Sequence, residues 1–141
     1  MTFPGPADFS GRYILVADED PEVVALLIRT LRNDGHAVFH AYDGRSAVEL
    51  SYSLRACDLI ISDTKVDGRP GTELIQRLRL ERPTQPILYV ANLGRSSDAI
   101  ERQLPPDVPI LRTPFTPAEV RAAVNPLLQR GRCFHHEASD C

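Results

Sequence analysis

The sequence predicts an α/β protein, a three-layer sandwich whose five-stranded parallel sheet runs in the order 2-1-3-4-5 with helices on both faces. Three observations carry that expectation. Apolar, strand-like runs alternate with helix-patterned segments five times over 141 residues, and such alternation implies parallel pairing through right-handed crossovers. The first and third runs each stop at acids: Tyr13–Ala17 delivers Asp18, Glu19 and Asp20, and the run 58–62 delivers Asp63. An apolar run that ends at a carboxylate and a glycine-containing loop is a buried strand presenting that acid at its carboxyl end. Strands 1 and 3 are neighbours in this order, about 5 Å apart. Their acids therefore meet at the topological switch point, where sheets of this kind bind ligands.

Composition narrows the class. The length suits one domain, and 43% hydrophobic residues suffice for a core. A net charge of −3 and a pI near 5.8 exert no general pull on nucleic acid or an anionic membrane. No stretch reaches the length of a membrane-spanning helix. The start, Met1-Thr2-Phe3-Pro4-Gly5-Pro6, lacks the basic and apolar parts of a signal peptide. The expected division is a flexible extension over 1–11, one domain over 12–130 and a polar tail over 131–141, with no internal repeat and no dividing linker. Cys57, Cys133 and Cys141 show no disulfide spacing. Cys57 opens the third run and is expected to be a small buried hydrophobe. This usage favours a reducing cytoplasm.

The elements follow in order. After the strand Tyr13–Ala17, Asp20 caps a helix, Pro21 fits its first turn and Gly35 ends it. Val23, Val24, Leu27, Ile28 and Leu31 form its apolar face. A second strand is expected over 37–42 and a second helix over 44–54. The third strand spans 58–62, and Asp67-Gly68-Arg69-Pro70-Gly71 is turn chemistry. A third helix begins near Thr72, carries Leu74, Ile75 and Leu78, and stops before Pro83. The fourth strand is Ile87–Ala91. Residues 92–107 hold at most a short, poorly anchored helix, cut off by Pro105-Pro106. A fifth strand is expected over 108–111. The last helix opens with Thr116-Pro117-Ala118-Glu119, a capping box, and Pro126 is expected to kink or interrupt it. The tail holds Cys and His ligand types at spacings that match no zinc module well.

Taken singly, Asp18, Glu19 and Asp63 are equally explained as helix caps or solvated loop acids. Their placement on one rim favours a hard-cation site, with Asp20 set aside as a cap. The run Ile14-Leu15-Val16-Ala17-Asp18-Glu19-Asp20-Pro21, then Asp63, then Thr113-Pro114-Phe115, resembles the response-regulator receiver domain of two-component signalling, a CheY-like and flavodoxin-like fold. The resemblance covers about 12–128. It implies that Asp63 accepts a phosphoryl group from the phosphohistidine of a histidine kinase or phosphotransfer protein. It also implies that Asp18 and Glu19, with Asp63 and the backbone carbonyl of Lys65, hold a magnesium ion. Partners would be that donor, a downstream protein, and a second copy in a homodimer.

Three positions depart from the family's pattern. Ala91 stands where a Ser or Thr would hydrogen-bond the phosphoryl group. Thr113 stands where a Lys would pair with it, and Ile110 takes the place of the aromatic switch residue. The metal-and-nucleophile half is expected to be present and the switching half degraded. The resemblance further implies a cis Thr113–Pro114 peptide. Lys65 is a candidate to replace the lost Lys, against a solvated loop lysine as the plainer reading, and Asn92 is named with it as a residue that could compensate for Ala91 and Thr113.

Two functions follow. One is a stand-alone receiver acting through protein contacts; the other is a phosphorylation-independent scaffold or dimerisation module. An enzyme is not expected. A phosphatase of related fold would want a second acid at Lys65, and a flavin site would want a phosphate loop where Asp18-Glu19-Asp20-Pro21 stands.

Overall fold

The computed structural model describes residues 11–41, 57–63, 65–66 and 69–135, the side chains of 65–66, 69–70 and 130–135 excepted. Five parallel strands form the sheet: β1 (Tyr13–Ala17), β2 (Ala37–Ala41), β3 (Cys57–Asp63), β4 (Ile87–Ala91) and β5 (Ile110–Arg112). Their order is β2-β1-β3-β4-β5, as expected. The helices are α1 (Pro21–Asn33), α2 (Gly71–Glu81), α3 (Asp98–Glu101) and α4 (Pro117–His135). The helix expected over 44–54, and Tyr42, lie outside the described residues. The turn after Asp63 contains a pairing not anticipated: Lys65–Val66 runs antiparallel to Arg69–Pro70.

Alternation along the strands sorts the core into two layers. Ile14, Val16, Leu59, Ile61, Leu88 and Val90 face α1 and α4, meeting Leu27, Leu31, Val120 and Val124. Leu15, Ala17, Ile60, Ile87, Tyr89 and Ala91 face the other way, onto Leu74, Ile75 and Leu78 of α2. Each fully buried Val, Leu or Ile among them contributes about 1.5–3 kcal/mol relative to exposure.

The punctuation of α1 is as the sequence implies. Asp20 accepts the Glu22 N–H at 3.0 Å. At the other end Gly35 takes φ 91°, while the Gly35 N–H donates to Arg32 O at 3.0 Å and the His36 N–H to Leu31 O at 3.1 Å. That pair of bonds satisfies carbonyls the helix would otherwise leave open. In α4, Thr116 and Glu119 form the reciprocal capping box, at 3.0 Å and 3.2 Å. The helix runs through Pro126 to His135, so no interruption occurs there. One backbone donor is lost, and the apolar face formed by Val120, Val124, Leu127 and Leu128 holds the turn together.

Asp58 lies at the far end of β3 from Asp63 and is buried. The β1–β3 register shifts between Tyr13 and Ile14, and Asp58 Oδ2 accepts the Tyr13 N–H at 2.9 Å. Its carboxylate thus replaces a ladder bond lost at the irregularity. Cys57 is buried beside it, and burial pushes its thiol up to about 11.

Gly71 opens α2 where the helix touches the backbone of Asp63. A Cβ there would lie 1.8 Å from the Asp63 carbonyl oxygen. Neither partner is a flexible side chain, so one backbone must move. Gly71→Ala is expected to cost about 2 kcal/mol or more, measured by urea unfolding; an unchanged midpoint would mean that α2 shifts freely.

Candidate functional site: a buried acid pair with an amide

Three strands end their apolar alternation on polar residues of the same face. Ile14 and Val16 lead to Asp18, Leu59 and Ile61 to Asp63, and Leu88 and Val90 to Asn92. The register pairs Val16 with Ile61 and Ala17 with Ser62, so Asp18 and Asp63 follow side by side. Both are removed from solvent, Asp18 at 1% exposure and Asp63 at 0%, with Asn92 at 7%. The Asn92 Nδ2 donates to Asp63 Oδ1.

Asp18 uses one oxygen structurally: Oδ1 accepts the Asp20 N–H at 2.8 Å. Its Oδ2 is buried with no hydrogen-bond donor. Burial, followed by the charge of Asp63, pushes the Asp18 carboxyl up to about 8, against the lowering effect of the Asp20 N–H. Two carboxyls brought this close favour either a retained proton or a cation.

Glu19 is exposed at the rim rather than inside the pair. With Asp18, Pro21, Val24, Ala25 and His40 it lines a pocket of about 420 Å³. The His40 Nε2 sits 3.0 Å from the Asp18 backbone oxygen, a neighbour the sequence reading did not single out. Among the described residues, no three His, Cys, Asp or Glu side chains gather into a metal-binding group. Asp18, Glu19 and Asp63 are therefore not a closed three-carboxylate cage. Magnesium does not need one, since it keeps several waters and takes one or two carboxylates. The orphaned buried Oδ2 of Asp18, next to Asp63, fits that donor set. Lys65 would contribute a backbone carbonyl; its side chain, and the idea that its ammonium enters the pocket, lie outside what is described.

The three departing positions have definite places. Ala91 is buried on the α2 face and presents a methyl there. Thr113 is turned to the backbone of the β4–α3 loop: its Oγ1 accepts the Leu93 N–H at 2.8 Å and donates to Ala91 O at 3.5 Å. Ile110 lies on the edge strand at 37% exposure. Thr113–Pro114 is cis, as expected.

The short helix α3 is better anchored than the sequence suggested. Ser97 caps it at 3.3 Å. The Tyr89 hydroxyl meets Ser96 Oγ at 3.2 Å, Ser96 Oγ donates to Glu101 at 2.7 Å, and Arg112 grips Glu101 through two bonds of 2.6 Å and 3.0 Å. Polar ties spaced far apart in sequence do the anchoring, which local patterns do not reveal. The Arg69 side chain and the Cys and His side chains of the tail lie outside the described residues.

A sequence model of the response regulator receiver domain matches residues 14–125. The chain belongs to the response regulator receiver family. Among curated receiver relatives, the transcriptional regulatory protein TcrA of Mycobacterium tuberculosis is 34% identical over 122 residues, which is 86% of this chain and 48% of TcrA. The regulatory protein VanRc of Enterococcus gallinarum is 29% identical over 126 residues, covering 89% of this chain and 54% of that one. This receiver thus spans about half the length of these curated relatives. A crystal structure of a response regulator receiver protein from Sinorhizobium medicae WSM419 matches with TM-score 0.75 and 28% identity, covering 86% of this chain and 98% of that one. The chemotaxis protein CheY4 of Vibrio cholerae shares the fold at TM-score 0.73 and 22% identity, covering 84% of this chain and 99% of that one. No helix among the described residues of the receiver is long and apolar enough to cross a membrane.

Proposed function

We propose that this receiver accepts a phosphoryl group on Asp63, in the cytoplasm, from the phosphohistidine of a histidine kinase or phosphotransfer protein. The observation that supports it best is the buried Asp18–Asp63 pair, with an Asp18 oxygen that no donor satisfies. In the transfer, an Asp63 oxygen forms the new P–O bond as the N–P bond breaks, and the imidazole leaves with the electron pair. A magnesium ion beside the acids, held by Asp18, Asp63, the Lys65 carbonyl and Glu19 at the rim, would offset the charge that gathers on the phosphoryl oxygens. Asp63 is the nucleophile and Asp18 the principal cation ligand. The product is a modified receiver, read by another protein, and no external substrate is turned over.

Phosphorylation should switch this receiver weakly. Ala91 offers no hydroxyl, and Thr113 is already engaged by the Leu93 N–H. The same engagement favours a second reading, a scaffold or dimerisation module that works without phosphorylation. Amide NMR of the labelled protein, titrated with Mg²⁺ and then beryllofluoride, separates the two. Binding of the acyl-phosphate mimic, with shifts around Asp63 and Asp18, is expected on the first reading. A response to Mg²⁺ alone, or none to either reagent, would sink it in favour of the second.

A further inference from the structure

We propose that Asn92 is the positioning residue of the phosphoacceptor, its amide fixing the Asp63 carboxylate for attack; the inference rests on Asp63 being the nucleophile. A buried carboxylate rotates about its last torsion between broad, roughly two-fold minima. Anchoring one oxygen fixes the plane and so places the other. The Asn92 Nδ2 does this through its bond to Asp63 Oδ1.

The donor is itself held. The backbone oxygen of Asn92 accepts the Arg95 N–H at 3.0 Å and the Ser96 N–H at 3.1 Å. On its other side, the Leu93 N–H is tied to Thr113 Oγ1 at 2.8 Å. With the backbone pinned on both sides and the side chain at 7% exposure, the amide has little freedom to swing away.

The residue type matters as well. An amide supplies hydrogen-bond donors without a charge. It can hold an ionised carboxylate without neutralising it, as an ammonium at the same place would. A receiver whose Ala91 and Thr113 provide no side-chain donor to Asp63 thus takes one from the next position along the chain. The alternation of β4 aims that position at the acid face, whereas Ala91 points to α2.

The test is the rate of phosphorylation by acetyl phosphate with Mg²⁺, followed by intact-protein mass across donor concentrations. Asn92→Ala is expected to lower the rate constant roughly 10- to 100-fold. The Mg²⁺ midpoint, read by NMR shifts, should move by less than the rate, since Asp18 is the principal cation ligand. Asn92→Asp, of equal size but lacking the amide donor, should lose at least as much. Asn92→Ser, with a hydroxyl donor on a shorter arm, should recover part of the rate. A rate in Asn92→Ala equal to the unchanged protein would overturn the inference and leave Asp63 as acceptor. So would losses that track melting temperature across the series without rescue by Ser. If Asn92→Ala does not fold, the Asp and Ser variants decide, by the presence or absence of a difference between them. An unchanged protein that takes up no phosphoryl group would overturn the proposed function, and the inference with it.

Discussion

Asp63→Asn should abolish phosphoryl uptake. With acetyl phosphate and Mg²⁺, the unchanged protein is expected to gain the mass of one phosphoryl group, removable by hydroxylamine as an acyl phosphate must be. The variant should gain none. The reason is chemical: a carboxylate oxygen carries the charge and lone pair that attack phosphorus, while acetate leaves with the electron pair of the broken P–O bond. An amide oxygen at the same place is a far weaker nucleophile and cannot hold the product. The substitution is close to isosteric and lowers like-charge crowding against Asp18, so the fold should survive. Asp58→Asn is the control, since that carboxylate is buried at the opposite end of β3 and holds the Tyr13 N–H. Hydroxylamine-sensitive incorporation that persists in Asp63→Asn would place the acceptor elsewhere.

The second large effect is on stability against pH. Burial, and then the charge of Asp63, pushes the Asp18 carboxyl of the folded protein up to about 8 from the ordinary 3.8. Between those values the unfolded chain has released a proton that the folded chain keeps. The folded state binds more protons, so stability falls as pH rises across that window and levels off above it. The slope from one such group is at most about 1.4 kcal/mol per pH unit. Asp18→Asn should flatten the profile and raise the melting temperature near neutral pH by roughly 4 °C or more. Mg²⁺ favours the ionised acids, so it should stabilise the unchanged protein more at the alkaline end of the window than at the acid end. Thermal melts across the window decide the matter. A variant with the parent's slope would show that Asp18 does not carry the effect.

The fold was legible because local signals agreed. Asp20, Pro21 and Gly35 marked both ends of α1, and Thr116 with Glu119 marked the start of α4. The two acids were legible because each ends an apolar strand. Asn92 was legible only as a residue that could compensate for Ala91 and Thr113, without its role. A receiver pattern directs attention to Ala91, yet counting by twos from Leu88 through Val90 arrives at Asn92 on the face that holds Asp18 and Asp63. The strength of α3 was not legible at all, since Glu101 is fixed by Ser96 and Arg112, pairs set by tertiary packing. Likewise, nothing near Pro126 signals that α4 continues, because the compensation comes from side chains packed against the sheet. His40 reaches the rim from β2, across a strand pairing that no local motif records.

The tie between Thr113 and the Leu93 N–H bears on what a partner can detect. A modification moves an equilibrium only by its difference in affinity for the two states. Carrying a population from 1:99 to 99:1 takes about 5.5 kcal/mol of such difference. Here the loop after β4 is already held, by Thr113 at Leu93 and by Asp63 at Asn92, before any phosphoryl group arrives. On the proposed function these ties would leave the loop less to gain from displacement, so modified and unmodified molecules would show a partner a similar surface. Such a partner would respond more to the amount of the receiver present than to its state of modification.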